Sequence, residues 1–411
     1  MKFFMISLAG EGAGILQKIA QEENDCKLYI KDEVYKNVYD GLLEKSEDIT
    51  PDIDSVIIFD NSGMGDIADT LKRAGHKVYG SSIFADKLEK DRMFGFDIMR
   101  HSGIRVPATK EFDGFRDGIN YVEQSKIKKF AFKPSGSMPC KLTFCAEKEE
   151  MITYLNFINE HYSKEIESFV MQEYIEGVVV SSELFFDGTK IVGPPNHTVE
   201  VKKFMNDDLG PSTGCSGNIV WVAEGSDIIK QGVAKITDIL EAEEYVGQID
   251  LNAVVNASGV YGLEWTPRFG YDATPTYLKM IQMEYGKFFS DIVEGHAINW
   301  AHEFDEMASV RLTIPPYPIE PKHDTEDVSP NAGVPIQDYE KFEDDLYFYE
   351  IMCKDRAFQH SGGTGVIACV IRPYVDECYS ILEKIKLPDK QYRTDLEKVL
   401  DDMKEEAWTW M

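Results

Sequence analysis

An α/β and α+β multidomain protein is predicted by three observations. The first ninety residues alternate short apolar runs with helical stretches and place glycine-rich turns at the strand ends. Residues 108–174 mix strands and helices in one compact unit. From about residue 301 the chain turns β-rich before a helical, charged end. The expected units are 1–84, a parallel α/β domain; 85–300, with a small subdomain at about 108–175; and 301–411, a β-rich domain with terminal helices.

Residues 2–8 read as a buried strand, and Gly10-Glu-Gly-Ala-Gly14 as a turn into a helix. A short strand follows at 27–30. Ser55-Val-Ile-Ile-Phe-Asp60 is a second clear strand, ending in Asn61-Ser-Gly-Met-Gly65 before a helix over 66–74, and 76–79 is another strand. Turns at the carboxyl ends of such strands are candidate ligand loops. A single amphipathic helix is expected over 86–101. Further on come a strand at 130–133, a Gly/Ser/Pro loop at 134–141, a helix over 148–160 and a strand at 169–174. Strands at 182–186, 219–223, 247–255 and 260–265 follow, with a helix over 227–241 between two of them. A helix over 277–294 precedes strands at 309–314, 345–352 and 364–371. The acidic stretch 322–327 reads as an exposed loop.

The 411 residues are enough for two to four units with a substantial core. A net charge of −29 argues against nucleic-acid or anionic-membrane partners, which need a positive surface. Any site for a polyanion must then be a local cluster of Lys and Arg. The seven cysteines are scattered without a Cys-x-x-Cys pair, as expected of a reduced, cytoplasmic protein without a zinc site. The N-terminal run turns acidic too soon for a signal peptide, and no run is long enough to span a bilayer.

The segment Gly262-Leu-Glu-Trp-Thr-Pro-Arg-Phe-Gly-Tyr-Asp272 is the most informative. Asp250 lies fourteen residues before Glu264, so the two acids can sit on adjacent antiparallel strands and face one cation. Mg²⁺ bound with a nucleotide phosphate needs few, hard oxygen ligands, and Arg268 can reach the same pocket to hold a phosphoryl group. A hairpin with solvated acids is the other reading of this segment. Lys133-Pro-Ser-Gly-Ser-Met-Pro-Cys-Lys141 puts two ammonium groups and several backbone N–H groups around a loop able to hold phosphates, or is an ordinary hairpin loop. It lacks the Gly-Lys-Ser/Thr ending of a Walker A motif. Gln172-Glu-Tyr-Ile-Glu-Gly177 can offer backbone groups to an adenine edge, or simply marks a strand end. Residues 202–217 read as a polar, glycine-rich loop of the kind that closes over a substrate.

In this order the motifs resemble the ATP-grasp ligases, and within them the glycinamide ribonucleotide synthetases (phosphoribosylamine–glycine ligases), over residues 55–370. Arg92, both lysines and Gly136 match the phosphate-binding elements, and Gln172, Tyr174 and Glu176 the hinge. Asp208-Leu-Gly-Pro-Ser-Thr-Gly214 is similar to Asp-Thr-Gly-Pro-Asn-Thr-Gly, and Glu264-Trp-Thr-Pro-Arg-Phe-Gly270 to Glu-Phe-Asn-x-Arg-Phe-Gly. The resemblance implies an ATP-grasp fold with an N-terminal Rossmann-like (pre-ATP-grasp) domain. It implies ATP with Mg²⁺, Mn²⁺ being a substitute, held by Arg92, Lys133, Gly136 and Lys141, with Glu264, Asp250 and Thr266 at the metal. It implies catalytic roles for Arg268, Lys202, Lys203 and Thr213, and substrate contacts at Asn61, Ser62, Gly63, Gly214 and Asp272. The implied partners are a small-molecule carboxylate and an amine, with no nucleic acid or membrane, in a monomer or homodimer.

The departures cluster on the amine side. The family's Gly-Asn-Gly-Gly-Arg-Glu-His loop is here Ser7-Leu-Ala-Gly-Glu-Gly-Ala13, and its Gly-Pro-Glu-Ala-Pro-Leu loop is Phe59-Asp-Asn-Ser-Gly-Met-Gly65. The acids after the hinge are Val178 and Val179, leaving Glu176 or Glu183 for the ribose, and the metal-side Asn is Thr266. The expectation is an ATP-dependent ligase joining glycine or another small amino acid to an amine other than phosphoribosylamine. Phosphoribosylamine–glycine ligation in purine biosynthesis and non-catalytic nucleotide binding are the alternatives.

Overall fold

The computed structural model describes residues 1–134, 142–298, 301–319 and 331–410. Its N-terminal sheet is parallel. Strands β1 (Lys2–Ser7), β2 (Asp25–Ile30), β3 (Glu44–Lys45), β4 (Val56–Phe59) and β5 (Lys77–Tyr79) run in the order β3-β2-β1-β4-β5. β1 and β4 are buried along nearly their whole length, as strands covered on both faces must be. Helix α1 (Ala13–Gln21) follows β1 and α2 (Gly65–Arg73) follows β4. The strand order reverses between β1 and β4, so the crevice at their carboxyl ends, Ser7 and Asp60, is the topological switch point where open α/β sheets take ligands.

The expected helix over 86–101 is two helices, α3 (Ile83–Lys90) and α4 (Arg92–His101). Asp91 separates them because it leaves helical geometry to accept the Phe94 N–H, capping α4. A small antiparallel sheet follows, ordered β6-β9-β7-β8, from β6 (Thr109–Phe112), β7 (Lys129–Pro134), β8 (Phe144–Glu147) and β9 (Phe169–Glu173). Helices α5 (Phe115–Gln124) and α6 (Lys148–Tyr162) cover it, and Phe112, Phe115, Phe130, Phe132 and Phe169 fill its separate core.

The largest sheet has eight antiparallel strands. They are β10 (Val178–Asp187), β11 (Ile191–Met205), β12 (Leu209–Val222), β13 (Val246–Asn256), β14 (Gly259–Thr266), β15 (Glu306–Thr313), β16 (Leu346–Phe348) and β19 (Val366–Arg372), with a separate hairpin of β17 (Ile351–Lys354) and β18 (Ala357–His360). Their order is β14-β13-β10-β11-β12-β15-β19-β16, so strands from the C-terminal third extend the central sheet.

Four expectations give way here. Sequence reading placed no strand at β11, whose Pro194 and Pro195 argue against one. They sit where the β10–β11 register slips between Glu183 and Phe185, and a bulge tolerates a residue that cannot donate. The expected polar loop at 202–217 is instead the tip and arms of the β11–β12 hairpin, with Lys203 paired to Ser212. The helix expected over 227–241 breaks at Gly232 into α7 (Asp227–Gln231) and α8 (Thr237–Ala242). That over 277–294 is α9 (Ala273–Met280) and α10 (Tyr285–Glu294). The chain ends in α11 (Val375–Leu382) and α12 (Leu396–Trp408). Among the described residues no helix is long and apolar enough to cross a membrane.

Candidate functional site

Adjacent strands place Asp250 opposite Thr266 and Asn252 opposite Glu264. Cross-strand partners share a face, and side chains two apart along a strand do too, so these four oxygen-bearing residues form one patch. Asn252 was missed in the sequence, although its spacing of two from Asp250 carried the signal. Its Nδ2 donates to Asp250 Oδ2 at 2.9 Å, and Ser181 Oγ donates to its Oδ1 at 2.8 Å. Asp250 is buried and its Oδ1 has no hydrogen-bond partner. Burial, with Glu183 and Glu200 nearby, pushes its carboxyl well above the usual range, against the pull of Lys202. Glu264 is exposed. Desolvation by the surrounding protein works to raise its pKa, but Lys202, Lys133, Arg92 and Arg268 outweigh it and hold the carboxyl below its usual value.

Four cations from four elements therefore converge on one carboxylate. Lys133 ends β7, Arg92 begins α4, Lys202 lies on β11 and Arg268 follows β14. Burial lowers the Lys133 pKa, as do Arg92 and Lys202, while Glu264 opposes them. Lys202 is held high by Glu200, 3.0 Å away. Gly136 and Lys141, expected in the same cluster, lie outside the described residues. In a chain of net charge −29 such a local excess of cations suits a polyphosphate.

Residues 172–177 lie at the junction of β9 and β10. Gln172 is buried and donates to Thr109 Oγ1 at 3.1 Å, while Tyr174 is exposed with Lys129 Nζ 3.9 Å above its ring. The carbonyl of Glu176 is taken by Asn256 at 2.6 Å. Glu183 is buried among Asn196 and Gln248 donors, and burial pushes its carboxyl up to about 7. It does not face solvent as a ribose ligand would.

Arg268 links the Glu264 patch to the switch-point crevice. Its Nε donates to Glu89 at 2.9 Å, its guanidinium lies over the Tyr271 ring, and the next N–H, of Phe269, donates to Asp60 O at 3.3 Å. Glu11 and burial raise the Tyr271 hydroxyl to about 12, against Arg268 and Arg311. Asn61 Nδ2 donates to Glu11 at 2.7 Å.

Several expected contacts take other roles. Asp272 is fully buried and bound to Arg311 at 2.7 and 3.0 Å, with Tyr349 also donating, so it ties α9 to β15 rather than facing a substrate. Thr213 Oγ1 donates to the Lys202 carbonyl and Lys203 Nζ to the Gly210 carbonyl, both bracing the hairpin. Gly214 packs on the Tyr271 ring, where a Cβ would sit 3.0 Å from it. Ser62 and Gly63 lie in the β4–α2 loop, and the Gly63 N–H is taken by Asp86 at 2.5 Å.

The family described as "Phosphoribosylglycinamide synthetase, ATP-grasp (A) domain" matches residues 90–274. This span holds every member of the cation cluster named above. This chain has the ATP-grasp fold. A phosphoribosylamine–glycine ligase of Methanocella arvoryzae is 25% identical over 79% of this chain and 81% of its own length. That of Clostridium acetobutylicum is 22% identical over 97% and 100%. Among solved structures, the phosphoribosylamine–glycine ligase of Thermotoga maritima superposes on this ATP-grasp chain with a TM-score of 0.72 at 20% identity, covering 96% of this chain and 100% of that one. The biotin carboxylase domain of a Hydrogenobacter thermophilus 2-oxoglutarate carboxylase, a complex with MgADP and bicarbonate, gives 0.62 at 11% identity over 99% and 94%. These structural likenesses extend the ATP-grasp fold to nearly the whole chain.

Proposed function

We propose that this protein is an ADP-forming carboxylate–amine ligase that works through an acyl phosphate, with glycine or another small amino acid as its carboxylate. The observation that carries this reading is the convergence of Arg92, Lys133, Lys202 and Arg268 on Glu264. Arg92, Lys133 and Lys202 hold the ATP phosphates, and the hinge at Gln172, Tyr174 and Glu176 takes the adenine. Among the described residues no group of three or more His, Cys, Asp and Glu side chains is arranged around a metal. The oxygens of Glu264, Asp250 and Asn252, with Asp250 Oδ1 unpartnered, nevertheless fit Mg²⁺, which needs only one or two carboxylates beside phosphate and water. When bound there, Mg²⁺ neutralises phosphate charge. Thr266 is the weaker candidate, as a neutral hydroxyl.

Arg268 positions the substrate carboxylate. One carboxylate oxygen bonds to the γ-phosphorus, the bond to the bridging oxygen breaks, and ADP leaves. The amine nitrogen then bonds to the acyl carbon, the carbon–oxygen bond breaks, phosphate leaves, and the nitrogen loses a proton to water. The protein's work is positioning and charge stabilisation. Lys202 and the β11–β12 hairpin bearing Lys203, Thr213 and Gly214 flank the cleft and limit water access to the acyl phosphate.

The names of the relatives support phosphoribosylamine as the amine, with glycine as the carboxylate. An acid-filled first loop, with Asp60 Oδ2 on the Gly12 N–H, favours a second acceptor lacking phosphate. The test is ADP release with glycine and other small amino acids, with and without phosphoribosylamine. Glycine-dependent release that requires phosphoribosylamine supports the first acceptor. Absence of release and of hydroxylamine-trapped hydroxamate with every small amino acid overturns the ligase reading.

A further inference from the structure

Among the described residues, three glycine-bearing loops have the N–H arrangement that cradles phosphate, and each already holds a carboxylate of this chain. At the first turn of α1, Asp60 Oδ2 accepts from Gly12 N–H at 2.7 Å and Ser7 Oγ at 2.6 Å. At the start of α2, Asp86 accepts from Gly63 N–H at 2.5 Å and Gly65 N–H at 2.8 Å. In the loop 362–365, Glu350 accepts from the N–H groups of Thr364 (3.1 Å), Gly365 (2.7 Å) and Val366 (3.2 Å), from Thr364 Oγ1 (2.6 Å) and from His360 Nε2 (3.0 Å).

The first two loops stand at the carboxyl ends of β1 and β4, on the two sides of the switch point. Space there is closed as well as charge. A Cβ on Gly12 would lie 2.7 Å from the Asp60 Cβ, and one on Gly14 would lie 2.6 Å from the Tyr347 ring. Tyr347 also donates its hydroxyl to the Glu11 carbonyl at 2.7 Å, locking this loop against β16. Lys90 Nζ approaches Gly63, but Asp66, Asp86 and Asp91 line the same 380 Å³ cavity as Lys87 and Lys90. On the crevice side Arg268 is paired with Glu89 and lies close to Glu11.

We infer that Asp60 and Asp86 are specificity-determining residues of the acceptor side. They occupy the N–H groups a phosphate ester would need, so the acceptor amine is one that carries no phosphate. The partly exposed Glu11 carboxylate favours the approach of a cationic ammonium, which loses a proton to water before attack. The inference rests on the ligase reading for the reaction, but its test needs no turnover.

The full chain, held with Mg²⁺ and the β,γ-imido analogue of ATP so that the nucleotide site is filled, is titrated calorimetrically with ribose 5-phosphate, with ribose as control. The expected result is no saturable binding of ribose 5-phosphate by the wild type. With the buffer at about pH 8.5, above the value of about 7 to which burial pushes Asp60, a gain of roughly tenfold or more in affinity is expected in Asp60→Asn or Asp86→Asn, about what removing one close negative charge supplies. Saturable one-to-one binding by the wild type, or no gain in either variant, overturns the inference. Should Asp60→Asn fail to fold, Asp86→Asn and the wild type still decide. Hydroxamate formation from glycine and hydroxylamine is read in parallel. Hydroxamate with tight ribose 5-phosphate binding removes the specificity claim and keeps the ligase. Exclusion of ribose 5-phosphate without hydroxamate from any small amino acid does the reverse.

Discussion

Glu264 on β14 lies directly across from Asn252 on β13, on the face that also carries Asp250 and Thr266. Four cations hold the Glu264 carboxyl ionised, so replacing it with Gln removes a charge and keeps the shape. Glu264→Gln is expected to lower the rate of ADP release by roughly two to three orders of magnitude, the scale for losing one electrostatic group of an active site. Asp250→Asn is expected to raise the Mg²⁺ concentration needed for half-maximal release, and Thr266→Ala to leave it unchanged. The opposite pattern in a Mg²⁺ titration would replace Asp250 with Thr266 at the metal.

Lys133 sits at the strand end beside Arg92 and Lys202, and its pKa is lowered by burial and by both of them. A cation kept in that company needs an anionic guest to offset the repulsion. Lys133→Met is expected to weaken MgATP binding by about 1.5–3 kcal/mol, a loss of roughly ten- to hundredfold. Titration calorimetry with MgATP measures this directly. Unchanged affinity would move the triphosphate away from β7.

Asp272 and Arg311 are both buried, with their charges matched by two hydrogen bonds. Removing one partner strands the other, at a cost of about 3–5 kcal/mol. Asp272→Ala is therefore expected to lower the urea midpoint of the whole chain. Were Asp272 a substrate ligand, the variant would keep its stability and raise KM for the carboxylate.

Much of the site was legible because its chemistry uses charged residues at strand ends. Glu264, Arg268, Lys133 and Arg92 stand out from apolar runs, and the structure brings them together. Asn252 was hidden inside an apolar strand because a neutral amide looks like a packing residue until its cross-strand partner is known. Pro194 and Pro195 concealed β11, since a bulge in three dimensions decides whether a strand can hold proline. Breaks at Asp91 and Gly232 divided helices that periodicity alone joins. The loop carboxylates Asp60 and Asp86 were invisible as ligands of N–H groups, because those contacts join residues 48 and 21 to 23 positions apart.

Asp60 also makes stability depend on pH in a particular direction. Burial pushes its carboxyl up to about 7, with Glu11 adding to the rise and the Ser7 and Gly12 hydrogen bonds opposing it. The folded chain then holds a proton that the unfolded chain, near the ordinary aspartate value, has released. Where the native state binds more protons, stability falls as pH rises. The stabilisation from this group is thus complete below about pH 4 and is lost as pH climbs through about 7. Glu183, also raised to about 7, has the same sign, so the wild-type curve alone does not isolate Asp60. Asp60→Asn removes one group and leaves the other. The difference in urea stability, variant minus wild type, is expected to grow by a few kcal/mol between about pH 4 and 7, at about 1.4 kcal/mol for each pH step across that window. Parallel stability curves across that range would show that Asp60 is ionised in the folded chain throughout.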